Sequence, residues 1–137
     1  MARKILALVS EPVSGEALKK AVGEGRTKGA EVLVVAPALT TRTRFWFSDV
    51  DSAIERAEDV QEETVERMEE DGVDAAGDTG ESDPLLAIQD ALQVFPADEI
   101  VLFTHAGGEL NWLEEGVVDE ARERFEVPVD HLVVERA

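Results

Sequence analysis

The chain of 137 residues has no cysteine, and this excludes disulfides and thiol chemistry. Aromatic residues make up only 5% of it, so three of them in a row at Phe45, Trp46 and Phe47 stand out. Histidine occurs twice, at His105 and His131. A metal site would therefore have to combine those two with carboxylates, which are too numerous for their spacing to mean anything, and none is expected. No apolar run approaches the roughly 18 residues needed to cross a bilayer. The opening MARKILALVSEP is basic and then apolar, but it has no small-residue cleavage site, so it reads as a first strand and not as a signal peptide. A cytoplasmic location is the resulting expectation.

Basic residues are also scarce, with 13 Lys and Arg against 31 Asp and Glu, for a formal charge of −18. The imbalance is uneven. Residues 1–47 hold 8 basic and 4 acidic side chains, residues 48–83 hold 2 and 15, and residues 84–137 hold 3 and 12. Such a surface repels nucleic acid and anionic membranes over most of its extent. The acidic middle fits the solvated face of a long helix. Catalytic signatures are missing too: there is no G-x-S-x-G, no P-loop with its lysine, and no base identifiable for Ser10.

What is present is an alternation of two periods. Short apolar runs at 4–9 (KILALV), 31–36 (EVLVVA) and 99–103 (EIVLF) suit buried strands, and 73–76 and 131–135 complete a set of five. Between them lie helical stripes. Ser14 caps a helix carrying Ala17, Leu18, Ala21 and Val22, with Gly29 as its stop. Ser48 and Asp51 form a capping-box signature ahead of a helix over 48–71, with Val50, Ile54, Ala57, Val60, Val65 and Met68 on one face and Gly72 at its end. The turn-rich GDTGES follows the third strand. Asp83-Pro84 opens a helix burying Leu85, Leu86, Ile88, Ala91 and Leu92, and a last helix covers 113–125. The order β-α-β-α-β-α-β-α-β predicts one α/β domain over 1–137, a three-layer five-stranded parallel sheet with helices on both faces. Ligands in such sheets sit at the carboxyl ends of strands where the strand order switches. That directs attention to the loops after the first and fourth strands.

Three segments carry a family resemblance. KILALVSEPVSGEALKKAV, SDPLLAIQDALQVFPADEIVLFTH and GGELNWLEEGVVDEARERFEVPVDHLVV cover about half of the chain, in order. Together they resemble the universal stress protein family. The resemblance implies a flavodoxin-like or Rossmann-like strand order of 3-2-1-4-5, a homodimer formed through the C-terminal strand, and a role in stress response. Some members bind ATP with G-x2-G-x9-G-[ST] after the fourth strand, where glycines bring backbone N–H groups to the phosphates. This chain departs from that motif. Thr104 stands at the first glycine, Gly107 and Gly116 match but are separated by one residue fewer, and Val117 replaces the hydroxyl residue. Ser10 stands where the family has an aspartate. A degenerate motif of this kind implies weak or absent binding of ATP or another adenine nucleotide.

The candidate ligand wall is Val9, Ser10 and Glu11 on one side and Thr104, His105, Gly107 and Gly108 on the other, with Gly116 near the phosphates of any nucleotide. The paired glycines read equally as a simple turn. Arg42 and Arg44, among Thr40, Thr41 and Thr43, suit a phosphate at the same sheet end, or else balance the acids that follow. The aromatic triplet reads as a lid, a subunit contact or a cover on the sheet edge. The expected function is a small-ligand-binding or interaction module. A slow nucleotide hydrolase and a purely structural partner protein are the alternatives.

Overall fold

In a computed structural model of the protein, residues 3–9, 13–23, 29–37, 50–80, 84–105 and 117–134 are described. The first apolar run forms β1 (Lys4–Leu8), and Ser14 caps α1 (Gly15–Val22) by accepting from the Ala17 N–H. They are followed by β2 (Glu31–Pro37), α2 (Val50–Glu70), β3 (Asp74–Gly80) and α3 (Pro84–Val94). The chain ends with β4 (Glu99–His105), α4 (Val117–Arg124) and β5 (Val129–Val134). All strand pairings are parallel, and the sheet order is β3-β2-β1-β4-β5. The architecture and order are those expected from the sequence.

The two-residue period of the strands divides the core into two layers. Ile5, Ala7 and Val9 of the first strand face α1 and α2, and pack with Val101, Phe103, Leu18, Ala57, Val60 and Met68. Leu6 and Leu8 face α3 and α4, and pack with Ile100, Leu102, Ile88, Ala91, Val118 and Ala121. Ile5, Leu6, Leu8, Ile88 and Phe103 are fully buried. Each contributes on the order of 1.5–3 kcal/mol of transfer free energy.

Several local expectations need correction. The third strand does not end at residue 76. The Gly-Asp-Thr-Gly read as a turn continues β3 to Gly80, because all seven residues of β2 pair with it. Tertiary pairing overrides weak strand propensity there. Gly77 has a packing reason as well, since a Cβ at that position would meet Val65 Cγ2 at 3.0 Å and the end of Gln61. The first helix stops at Gly23 and not Gly29: Gly23 has φ of 93° and its N–H donates to Lys19 O at 2.8 Å. The apolar face of α3 is as expected at Leu85, Ile88, Ala91 and Leu92, except that Leu86 is exposed and Ala87 is buried. The fifth strand begins at Val129, two residues before the expected start. Ser48, residues 113–116, and the side chains of Val50 and Ile54 lie outside the described residues.

The two margins of the sheet differ. Beyond the pairing of β3 with β2, the β3 margin carries exposed Asp74, Ala76, Gly77 and Asp78. The β5 margin carries His131, Leu132 and Val133, with Val133 exposed.

Candidate functional site

The chain moves outward from β1 through β2 to β3, then crosses back to place β4 on the other side of β1. The switch point therefore lies between β1 and β4. At its amino side the sheet is tied shut. Arg3 Nε donates to Glu99 Oε1 at 2.6 Å, and the Glu99 carboxylate is fully buried. That bond and the negative charge raise the Arg3 pKa above its ordinary value. The Lys4 N–H donates to Asp98 Oδ2 at 2.8 Å, the Asp98 N–H to Lys4 O at 2.7 Å, and the Glu31 N–H to Arg3 O at 2.8 Å.

The carboxyl side is stepped instead. The ladder between β1 and β4 stops at Leu8–Leu102, whereas β4 runs on to His105, paired there with Val134 of β5. On the other flank Leu8 pairs with Val35, and β2 runs on to Pro37. After Leu8 only the Val9 N–H continues the contact, donating to Val35 O at 3.0 Å. At about 3.3 Å per residue, β2 and β4 overhang the end of β1 by roughly 7 and 10 Å. Among the described residues this end of the sheet is stepped, and residues 10–12, which follow Val9, lie outside them. Val9, Ala36 and Phe103 at this end are buried and apolar.

Of the expected site residues, Val9 follows directly on β1 at this sheet end, with its side chain fully buried in the layer under α1 and α2. Thr104 and His105 lie on the overhanging end of β4, the neighbouring strand. The structure thus brings the start of one proposed wall and the start of the other to the same sheet end. Ser10, Glu11, Arg42, Arg44, Gly107, Gly108 and Gly116 lie outside the described residues, as do Phe45, Trp46 and Phe47.

Two buried or half-buried polar contacts were not anticipated. Thr64 is fully buried on α2, and its Oγ1 accepts from the Val13 N–H at 3.2 Å. Asp71, just past α2, accepts from the Gly15 N–H through Oδ2 at 2.9 Å, and its carbonyl accepts from Lys19 Nζ at 3.1 Å. The signal for Thr64 was its place in the stripe, four residues from Val60 and four from Met68, where a polar residue needs a buried partner. The amino end of α1 is thus already supplied with the hydroxyl of Ser14 and the carboxylate of Asp71.

His131 lies on β5, away from the switch point. Partial burial lowers its pKa, and the positive charge of Arg122 lowers it further. Among the described residues no group of three or more His, Asp or Glu side chains is placed to hold a metal ion. Among them, too, no helix is long and apolar enough to cross a membrane.

An open, doubly wound parallel sheet of order β3-β2-β1-β4-β5, with its switch point between β1 and β4, defines a flavodoxin-like α/β domain. More narrowly, the fold is that of the universal stress proteins. It is similar to a universal stress protein from Archaeoglobus fulgidus with a TM-score of 0.66 at 20% identity, over 96% of this chain and 98% of that one. It is similar also to a universal stress protein family protein from Arabidopsis thaliana with AMP bound, with a TM-score of 0.65 at 15% identity, over 98% of this chain and 92% of that one. No family model matches the chain, and no curated protein does.

Proposed function

We propose that the chain is a universal stress protein that binds a small ligand of the adenine mononucleotide class at the carboxyl ends of β1 and β4, without turning it over. The observation that carries this reading is the strand-order switch between β1 and β4, where both β2 and β4 run on past the last residue of β1. Ligands of open parallel sheets sit at the carboxyl ends of the strands at such a switch point. The AMP seen in the Arabidopsis protein of the same fold supports this class of ligand. A monophosphate also asks less of the loop after β4 than ATP does. Thr104 and Val117, standing where the ATP motif has glycine and a hydroxyl residue, weaken the case for a triphosphate. The molecule acts as a homodimer joined through β5, whose margin presents Leu132 and Val133.

The test is a thermal-shift titration of nucleotide-free protein with AMP, ADP and ATP, with and without magnesium. A ligand that binds only the folded state raises the melting temperature in proportion to the logarithm of its concentration above Kd. The expected result is a saturable rise with AMP, a smaller one with ATP, and no release of phosphate over the blank. No rise with any of the three would overturn the reading in favour of an interaction protein. Sedimentation at high concentration tests the dimer, against which a monomeric mass would count.

A further inference from the structure

Along a strand, successive residues turn their N–H and C=O alternately to one side and the other. Pro128 O accepts from the Ile100 N–H at 2.9 Å, so Pro128 faces β4. The alternation continues in register. Asp130 and Leu132, opposite Val101 and Phe103, face β4 as well. The backbone groups of Val129, His131 and Val133 therefore point out of the sheet at its β5 margin. One of them is already occupied. Arg122 Nε, on α4, donates to Val129 O at 3.2 Å. The same guanidinium lies near enough to His131 to lower its pKa, so it runs along the margin. Burial follows that placement: Val129 is 8% exposed and Val133, at the other end of the strand, 50%. Holding a long arginine in one place costs rotamer freedom, and covering an edge is one way proteins control what pairs with it. Two copies of charge −18 repel each other. Their contact is favoured at the margin with fewer acids, which is β5 with Asp130 and not β3 with Asp74 and Asp78.

We infer that Arg122 is a stop on the β5 margin, which takes up the Val129 carbonyl and confines the strand of a second copy to the part of β5 around Val133. A strand added in the antiparallel sense uses both the N–H and the C=O of a hydrogen-bonded residue. Engaging Val129 O from α4 removes that residue from the ladder and sets where the ladder ends. The inference rests on the β5 dimer proposed above, whose register it fixes.

The experiment uses the full chain with Arg122→Leu, which removes the donor, and Arg122→Lys, which keeps a charge and a donor. Residue-level amide exchange is measured at low and high protein concentration, and the dimer Kd by sedimentation equilibrium. In the wild type, raising the concentration should slow exchange at Val133 and leave Val129 as it was. In Arg122→Leu the protection should extend to Val129 and Kd should fall about tenfold, the worth of an added hydrogen bond. Arg122→Lys should keep the wild-type pattern. Concentration-dependent protection of Val129 in the wild type overturns the inference, and so does an Arg122→Leu variant with the wild-type pattern and Kd. A second measurement leaves Arg122 in place. The chain has no cysteine, so Val133→Cys alone should link two copies on mild oxidation, and Asp130→Cys should not. Linkage through Asp130→Cys as fast as through Val133→Cys overturns the inference, whatever the fold of the Arg122 variants. A wild type that stays monomeric refutes the dimer reading; the stop then stands only if Arg122→Leu associates, and a monomeric Arg122→Leu overturns it as well.

Discussion

Replacing Gly15 by alanine would ordinarily favour a helix, by up to about 1 kcal/mol in a helix interior. Here it should do the reverse. A Cβ built on Gly15 meets Asp71 Cβ at 2.6 Å, Oδ2 at 3.0 Å and Cγ at 3.3 Å. The nearest of these atoms is not the free end of a long side chain. Asp71 is held through its own N–H to the carbonyls of Arg67 and Met68, and through its carbonyl to Lys19. Relief therefore requires the start of α1 to move away from the end of α2. That movement stretches the bond from the Gly15 N–H to Oδ2, now 2.9 Å. Overpacking of this kind costs about 1–3 kcal/mol, and the weakened bond adds about 1 kcal/mol. Against the propensity gain, the net loss is about 2 kcal/mol. For a domain of this size that lowers Tm by about 5–10 °C. Urea unfolding with linear extrapolation gives the free energy, and Asp71→Gly supplies the control, because it removes the Cβ that Gly15→Ala strikes. In that background the alanine should cost almost nothing. A Gly15→Ala protein as stable as the wild type or more so would refute the close approach of α1 and α2.

Three further predictions concern charge. The folded-state pKa of His131 lies below its ordinary 6.5, so between the two values the unfolded chain binds more protons than the folded one. Stability contributed at this site is therefore intact above pH 6.5 and lost as pH falls toward the folded pKa; the difference between wild type and His131→Gln, followed by urea unfolding from pH 7.5 downward, should show that slope, and a flat difference would contradict it. Arg3→Leu removes the guanidinium from the buried Glu99 carboxylate and should lower the urea midpoint, whereas adding Glu99→Leu should recover much of the loss; a single variant as stable as wild type would show that the pair does not matter. With a formal charge of −18, self-repulsion should ease as salt is added, so Tm should rise between 0.1 and 1 M KCl. A Tm that is flat or falling over that range would rule out repulsion as a significant term.

Much of the fold was legible because its strands are buried on both faces. Ile5, Leu6, Ala7 and Leu8 form an unbroken apolar run only because helices cover both sides of the sheet. The start of α1 was legible through the local chemistry of Ser14, whose Oγ accepts from the Ala17 N–H. The true extent of β3 was not. Gly77, Asp78, Thr79 and Gly80 are turn residues by composition, and they pair as a strand because β2 offers them a full partner. No property of residues 77–80 alone records that. Thr64 is a partial case: its place between Val60 and Met68 in the apolar stripe marks it as buried, but its partner, Val13, emerges only from the fold. At the site, Val9, Thr104 and His105 were placed together by the general rule about switch points. The glycine and arginine candidates rest on loops outside the described residues, so they stand on the sequence alone.

The unlike margins of the sheet bear on how far copies of this chain can assemble. A row of exposed aspartates and small residues along β3 is poor at accepting another strand, through charge and through lack of side chains to pack. The β5 margin carries one aspartate, Asp130, beside His131, Leu132 and Val133, and so is less guarded among the described residues. Strand addition through β5, as in the proposed dimer, would therefore favour one side of the molecule. When two copies meet there they consume the receptive margin of each, and the surfaces left facing outward are both of the guarded kind. An assembly built by that contact closes at two, where a sheet receptive on both sides would grow into a fibre.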